Sequence, residues 1–357
     1  MTAAYKAVQW NAHKRTYDLI LVGALALFLI GFVAVGSVVN AGDNAVSPEI
    51  LLIRALGVAA IALLHLTLAI GPLARLDKRF TPLLYNRRHM GVTLFLLAFG
   101  HAALSNVWYH GFGTLDPITS IFANSRDYTS LARFPFQPLG AMALVILFVM
   151  AATSHDFWLA NLGPRAWKAL HMSVYGAYFL LVGHVALGAL QTEKSWLYPA
   201  LLGLGMVALV TLHLSAGFRA RREDRHTHPL SQEGWIDAGD ISDLPDGHAR
   251  SVRPAKGERI ALYRCGDKLA AVGAVCAHQA GPLDEGRVVN GCITCPWHGY
   301  QYRPEDGQSP PPYSEKLPTY EVRVEGTRAY VRAQPVGLGA PRDMPAFPSE
   351  SPRQSPK

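Results

Sequence analysis

Six apolar segments, at 19–39, 50–72, 90–108, 136–153, 167–189 and 196–218, limit what this chain can fold into more than any other feature. Each approaches the ~20 residues that a helix needs to cross a hydrocarbon layer. Charged residues are sparse before Phe218 and frequent after it, so a membrane part is followed by a soluble part. Basic residues alternate sides. Lys14 and Arg15, then Arg75, Lys78, Arg79, Arg87 and Arg88, then Arg165 and Lys168, then Arg219, Arg221 and Arg222 fall on one side. The other side carries Asp43 and Glu49, a mixed stretch at 116–133, and Glu193 with Lys194. Positive-inside topology puts both termini in the cytoplasm, as expected for a multi-pass protein of a bacterial inner membrane. Trp108, Tyr109 and Trp196 read as interfacial anchors against membrane lipid. The formal charge of +7 belongs to these edges, and no nucleic-acid motif is present. The first apolar run is too long for a cleavable signal, so none is expected.

The soluble part is organised around VCAHQAGPLDEGRVVNGCITCPWHGYQY at 275–302. Cys276-x-His278 and Cys295-x-x-His298 each offer one thiolate and one imidazole from a tight turn. Gly281, Pro282, Pro296 and Gly299 bend the backbone. Two Cys on one iron and two His on the other is the ligand set of a Rieske [2Fe-2S] centre. A structural zinc site of the Cys2His2 kind is the alternative, but zinc fingers separate Cys-x-x-Cys from the His pair. The interleaved order favours the cluster. Of the four Cys, Cys265 and Cys292 remain as packing residues, and reduced thiols fit a reducing compartment.

Around that motif, 259–263, 269–272, 320–324 and 329–332 alternate apolar with charged residues, as strands do. The tail is rich in Pro, Gly and Ser and reads as disordered. The expected class is a membrane all-α six-helix bundle followed by a small all-β Rieske domain. Its divisions are a cytoplasmic N-terminus at 1–18, a six-helix transmembrane bundle at 19–218, a charged linker at 219–234, the Rieske domain at 235–334 and a disordered tail at 335–357. No internal repeat is evident.

Fourteen His are present, and His65, His89, His101, His171, His184 and His213 lie in or at apolar segments. An ionisable residue at membrane depth is a functional candidate. Neutral imidazole also ligates haem. GPLARL at 71–76, NRRHMG at 86–91, the Gly100-His101 step and ATSHDFWLANLGPRAWKALH up to His171 resemble the ferric reductase transmembrane superfamily, closest to its bacterial methionine sulfoxide reductase haem subunits. That resemblance implies b-type haem held between the third and fifth helices, with His101, His171 and His184 at the ligand positions. His171 and His184 lie roughly 20 Å apart along a helix, room for one haem or two. The possible rungs are His101 with His184 and His89 with His171. Thirteen helical positions rotate a side chain by roughly 140°, so the helix must distort between His171 and His184 or present them to different haem flanks. His65 and His213 read as structural, and Arg75, Arg87 and Arg88 as topology residues able to meet haem propionates.

The soluble domain resembles Rieske ferredoxins and the Rieske domains of ring-hydroxylating oxygenases. Relative to high-potential Rieske proteins, Gly281 and Trp297 occupy the disulfide positions, and Tyr300 replaces a Ser whose hydroxyl bonds a cluster sulfur, while Tyr302 is kept. The resemblance implies a modest potential. A mononuclear iron site needs two His and a carboxylate; Asp224, His226 and His228 sit in a charged linker and read as solvated. No nucleotide-binding G-x-G-x-x-G follows a strand, and no catalytic side chain is singled out. These readings point to an oxidoreductase, or the electron-transfer subunit of one. Electrons would pass from a cytoplasmic reductase or ferredoxin through the cluster to haem b. A periplasmic-side acceptor follows: ferric iron, a quinone or a partner reductase. The alternatives are quinol- or haem-linked oxidation with electrons leaving through the Rieske domain, and a redox sensor or assembly protein.

Overall fold

The computed structural model describes residues 12–42, 45–84, 87–123, 134–154, 166–167, 169–192, 195–224, 233–255, 257–278, 281–296, 299–311 and 313–348. The chain splits after Ala216 into two compact units.

Each of the six apolar segments forms a helix: α1 (Ala12–Val39), α2 (Pro48–Leu76), α3 (Arg87–His110), α4 (Gln137–Ala152), α5 (Val174–Leu187) and α6 (Leu197–Asp224). Among the described residues, five helices are long and apolar enough to cross a membrane, and α4 is a shorter apolar helix. Helix α2 starts where Ser47 accepts a hydrogen bond from the Ile50 N–H (3.4 Å), with Pro48 in its first turn. A side-chain oxygen there satisfies a donor that the helix leaves unpaired, and proline needs no partner in that turn. Ala55, Ala59 and Ala60 of α2 are buried, and small residues let apolar helices approach closely. Leu63, Leu64, Leu94, Leu97, Ala143, Leu147 and Ala177 complete the bundle core from α2 to α5. Leu19, Leu27 and Ile30 of α1 point outward, which hydrocarbon solvates without cost.

Two elements depart from the expected segments. Helix α4 is 16 residues, because Pro138 sets its start and the Thr153 hydroxyl turns back to the Val149 carbonyl (2.7 Å) at its end. In the fifth segment the Ser173 N–H (3.1 Å) and hydroxyl (2.5 Å) both bond the Leu170 carbonyl, a tightened turn just before α5. The helix therefore distorts between His171 and His184.

The second unit is built of strands β1 (Trp235–Asp240), β2 (Ala249–Val252), β3 (Ile260–Cys265), β4 (Lys268–Gly273), β5 (Arg287–Val289), β6 (Cys292–Thr294), β7 (Gln301–Tyr302), β8 (Pro318–Tyr320), β9 (Val322–Glu325), β10 (Arg328–Arg332) and β11 (Gly337–Leu338). They form three antiparallel sheets, ordered β1-β10-β9, β11-β8-β4-β3-β2 and β5-β6-β7. The period-2 alternation of strands divides the interior in two. Ile260, Leu262, Leu269 and Ala271 enter one core with Ile236, Ile241 and Val331. Ala261, Tyr263, Ala270 and Val272 enter the other with Leu283, Ile293, Tyr302 and Leu317. Cys276 and Cys295 belong to the second core.

The expected strand at 320–324 breaks at Glu321, because Tyr320 ends β8 in one sheet while Val322 opens β9 in another. The tail expected to be disordered is ordered as far as residue 348. Composition misleads there because its backbone is anchored by the domain: β11 pairs with β8, the Leu269 N–H donates to the Pro345 carbonyl (2.9 Å), and the Phe347 N–H donates to the Asp267 carbonyl (2.6 Å). Arg264 covers the Phe347 ring at 3.8 Å.

Candidate functional site

In the membrane unit, His101 of α3 and His184 of α5 face each other, with ring centroids 6.3 Å apart and planes at 82°. Each ring is fixed from behind. His101 Nδ1 donates to the Ile53 carbonyl (2.8 Å) and His184 Nδ1 to the Phe136 carbonyl (2.9 Å), both across a spacing of 48 residues. A carbonyl only accepts, so each Nδ1 carries the proton and each Nε2 keeps its lone pair. One turn beyond each carbonyl stands a glycine. A Cβ on Gly57 would lie 3.1 Å from His101 Nδ1, and one on Gly140 would lie 2.7 Å from His184 Nδ1. The hairpins α2–α3 and α4–α5 thus repeat one arrangement of carbonyl, glycine and histidine, a repeat that residue identity alone does not reveal.

This pair fits a bis-imidazole metal. With metal–nitrogen bonds of ~2 Å and about 1 Å from nitrogen to ring centre, the 6.3 Å separation leaves room for one metal that both side chains would hold. His171 differs: its Nδ1 bonds the Trp167 carbonyl (3.0 Å), its ring stacks on Trp167 at 3.6 Å, and its buried Nε2 has no hydrogen-bond partner among the described residues. A buried polar atom without a partner is rare in a native interior and calls for a ligand or ion. His89 Nδ1 sits 2.8 and 2.9 Å from the two carboxylate oxygens of Asp18 on α1. His65 and His213 have both nitrogens occupied. Their Nδ1 atoms donate to Ile61 and Leu209 carbonyls, and their Nε2 atoms accept from the Tyr178 and Tyr175 hydroxyls, each at 3.0 Å.

In the second unit two loops close alike. The Cys276 N–H donates to the Gly281 carbonyl and the Cys295 N–H to the Tyr300 carbonyl, both at 2.8 Å. Gly299 supplies the left-handed φ of 70° that turns the second loop back. The Asn290–Gly291 turn, with φ 52° and 77°, joins β5 to β6 and delivers Cys295 beyond it. Cys276, Cys295 and His278 are buried together. The Tyr302 hydroxyl lies 3.2 Å from Cys276 Sγ and accepts the His278 N–H at 3.3 Å. Burial, reinforced by Cys276, pushes the Tyr302 hydroxyl well above its usual range, so it remains a donor to sulfur at neutral pH. The Tyr300 hydroxyl donates to Glu315, while the ring stacks on His278 at 4.4 Å and 11°. Two thiols and an imidazole on adjoining turns, beside a hydroxyl aimed at sulfur, fit a [2Fe-2S] group. Among the described residues no three His, Cys, Asp or Glu close on a single metal position. His298, Trp297, His226 and His228 lie outside the described residues.

Residues 56–182 match the ferric reductase like transmembrane component, and 234–321 match the Rieske [2Fe-2S] domain. Together, bundle and sheets define a membrane electron-transfer oxidoreductase. The protein-methionine-sulfoxide reductase heme-binding subunit MsrQ of Caulobacter vibrioides is 32% identical over 179 residues, which cover 50% of this chain and 79% of that protein. The chain belongs to this family of ferric reductase-like transmembrane proteins and carries a Rieske domain after the shared bundle. Within the Rieske domain it is 39% identical over 105 residues to cholesterol 7-desaturase of Xenopus laevis, covering 29% of this chain and 23% of that protein. The chain thus spans less than a quarter of the desaturase's length. The ferredoxin component of the naphthalene 1,2-dioxygenase/salicylate 5-hydroxylase systems of a Ralstonia species is 28% identical over 103 residues, covering 29% of this chain and 98% of that protein.

Sequence reasoning did not find Gly57 and Gly140. Their signal is a glycine one turn after an apolar residue whose carbonyl faces a histidine on the next helix, and it becomes visible once the hairpins are paired.

Proposed function

We propose that the chain conducts electrons from a cytoplasmic donor, a reductase or ferredoxin, through its Rieske domain into the bundle and on to an acceptor on the periplasmic side. The proposed domains are the bundle at 19–218, the linker at 219–234 and the Rieske domain from 235, with the tail up to residue 348 assigned to it. Both termini lie on the cytoplasmic side of a bacterial inner membrane, a reading supported by Arg75, Lys78, Arg79, Arg87 and Arg88 from the end of α2 to the start of α3 and by Arg219, Arg221 and Arg222 late in α6. The acceptor is ferric iron, a quinone or a partner reductase.

The observation that carries this reading is the facing pair His101 and His184 with both Nδ1 protons donated to backbone carbonyls. These two His hold haem b, and His171, whose buried Nε2 lacks a partner among the described residues, is the next ligand. A second rung through His89 is a weaker assignment, because Asp18 engages its ring. An outer partner on Nδ1 fixes tautomer and ring orientation of a ligating histidine, which is the part Ile53 and Phe136 play. Cys276, Cys295, His278 and His298 hold the cluster. Bound there, the two groups supply one-electron chemistry, while the protein sets potential and access. Tyr302 donates to Cys276 Sγ, which favours the reduced state, while the Tyr300 hydroxyl is engaged by Glu315. That engagement supports a modest potential and a donor role.

Visible and EPR spectra of the purified chain under reductive titration test this, with His101→Ala, His184→Ala and His171→Ala beside it. Loss of haem absorbance in the first two is the expected result. Retention of haem in all three ends the membrane half of the proposal, and a cluster potential well above that of the haem reverses the electron direction.

A further inference from the structure

Tyr300 is almost wholly buried and packs against His278, Tyr302 at 5.5 Å and Tyr313 at 5.1 Å. Its ring lies nearly parallel to that of His278, and its hydroxyl donates to a carboxylate oxygen of Glu315. The same Glu315 oxygen accepts the Ser314 N–H at 3.1 Å, so its position is held by its own loop as well. Glu315 is half-buried, which weakens screening of its charge by solvent.

We propose that Glu315 is a positioning and potential-setting residue for the cluster, acting through Tyr300 on the candidate ligand His278. This rests on the cluster assignment above. Two physical effects run through the pair. The carboxylate holds the tyrosine hydroxyl, which keeps the ring flat on the imidazole and fixes its orientation. It also places a fixed negative charge one aromatic ring beyond the imidazole. Adding one electron makes the cluster more negative, so a carboxylate nearby disfavours the reduced state. The charge therefore pushes the potential down.

The test uses the full chain, purified with its cofactors, and measures the cluster midpoint potential by EPR-monitored titration. Glu315→Gln removes the charge and keeps a hydrogen-bond partner; Tyr300→Phe keeps the stack and frees the carboxylate. Glu315→Gln is expected to raise the one-electron reduction equilibrium about tenfold, an upward shift of about 59 mV, whereas Tyr300→Phe leaves the charge in place and is expected not to raise it. The double variant is expected to match Glu315→Gln, since the charge is gone from both. Glu321→Gln removes a carboxylate that pairs with Arg332 at 2.7 Å elsewhere on the domain, and is expected to leave the potential unchanged. The proposal is overturned if Glu315→Gln leaves the potential in place, if Tyr300→Phe raises it as far, or if Glu321→Gln shifts it equally. Should Glu315→Gln fail to load, Glu315→Ala decides in its place: an unshifted potential overturns the proposal. Absence of a cluster EPR signal in the unmodified chain would instead remove the cluster assignment itself, which separates the two failures.

Discussion

Replacing Gly140 by alanine adds one methyl group where the bundle has least room for it. The new Cβ would stand 2.7 Å from His184 Nδ1 and 2.8 Å from its Cε1. Carbon contacts settle near 3.5 Å, so the ring must retreat by about 0.8 Å. The 2.9 Å bond to the Phe136 carbonyl cannot stretch that far and survive. Losing it leaves a buried donor unpaired, which costs about 1–3 kcal/mol. Loss of an outer-shell partner also weakens metal affinity by roughly 10–100-fold. Gly57→Ala is milder, because its Cβ would lie 3.1 Å from His101, a shortfall of about 0.4 Å. Gly176→Ala on α5 meets nothing within 4 Å. Alanine favours helix over glycine by about 1 kcal/mol, so none of the three should lower helicity. Haem content per protein and circular dichroism of the purified variants give the assay. Haem should fall most in Gly140→Ala, less in Gly57→Ala and not at all in Gly176→Ala, with helix content kept in each. Full haem occupancy in Gly140→Ala, or equal loss in Gly176→Ala, refutes the cradle.

Tyr302→Phe deletes the 3.2 Å contact with Cys276 Sγ at little change in volume. The cluster potential should drop by an amount equivalent to about 1 kcal/mol, roughly fivefold in the reduction equilibrium, and an unchanged titration would mean that the hydroxyl does not tune sulfur. Burial pushes the Cys265 thiol up to about 12, so the folded domain holds that proton after the unfolded chain has released it near 9. Its contribution is complete below pH 9 and lost as pH rises towards 12, on the order of 4 kcal/mol for a shift this large. Arg342, lowered by burial to about 10, acts with the opposite sign above that pH and offsets part of the loss. Denaturant unfolding of Cys265→Ala at pH 8 and pH 11 should show a shallower alkaline decline than the unmodified chain; an equal slope would contradict the assignment.

The six helices were legible because hydrocarbon accepts only long apolar runs, and a run of that kind advertises itself in one dimension. The cluster loops were legible because thiolates and imidazoles at fixed spacing have few other uses. Partners brought from afar were not. Asp18 reaches His89 across 71 residues, and Phe136 reaches His184 through a backbone carbonyl that any residue would supply. Glu315 meets Tyr300 across a loop with no motif of its own. The tail misled for a different reason: Pro, Gly and Ser weaken a segment's own structure, and they say nothing of a neighbouring strand that offers it hydrogen bonds.

That tail bears on association. Strand β11 pairs with β8 at the end of the sheet β11-β8-β4-β3-β2. An uncovered strand presents a row of unpaired amides and carbonyls, and a second copy of the same chain is the nearest material to fill it. Here Gly337 and Leu338 occupy that place from within the molecule. Being only two residues long, β11 offers little further backbone for a stranger to extend. The closing stretch of this chain therefore acts as a guard against edge-to-edge aggregation, and it does so in a domain tethered to a membrane, where copies confined to one plane meet often.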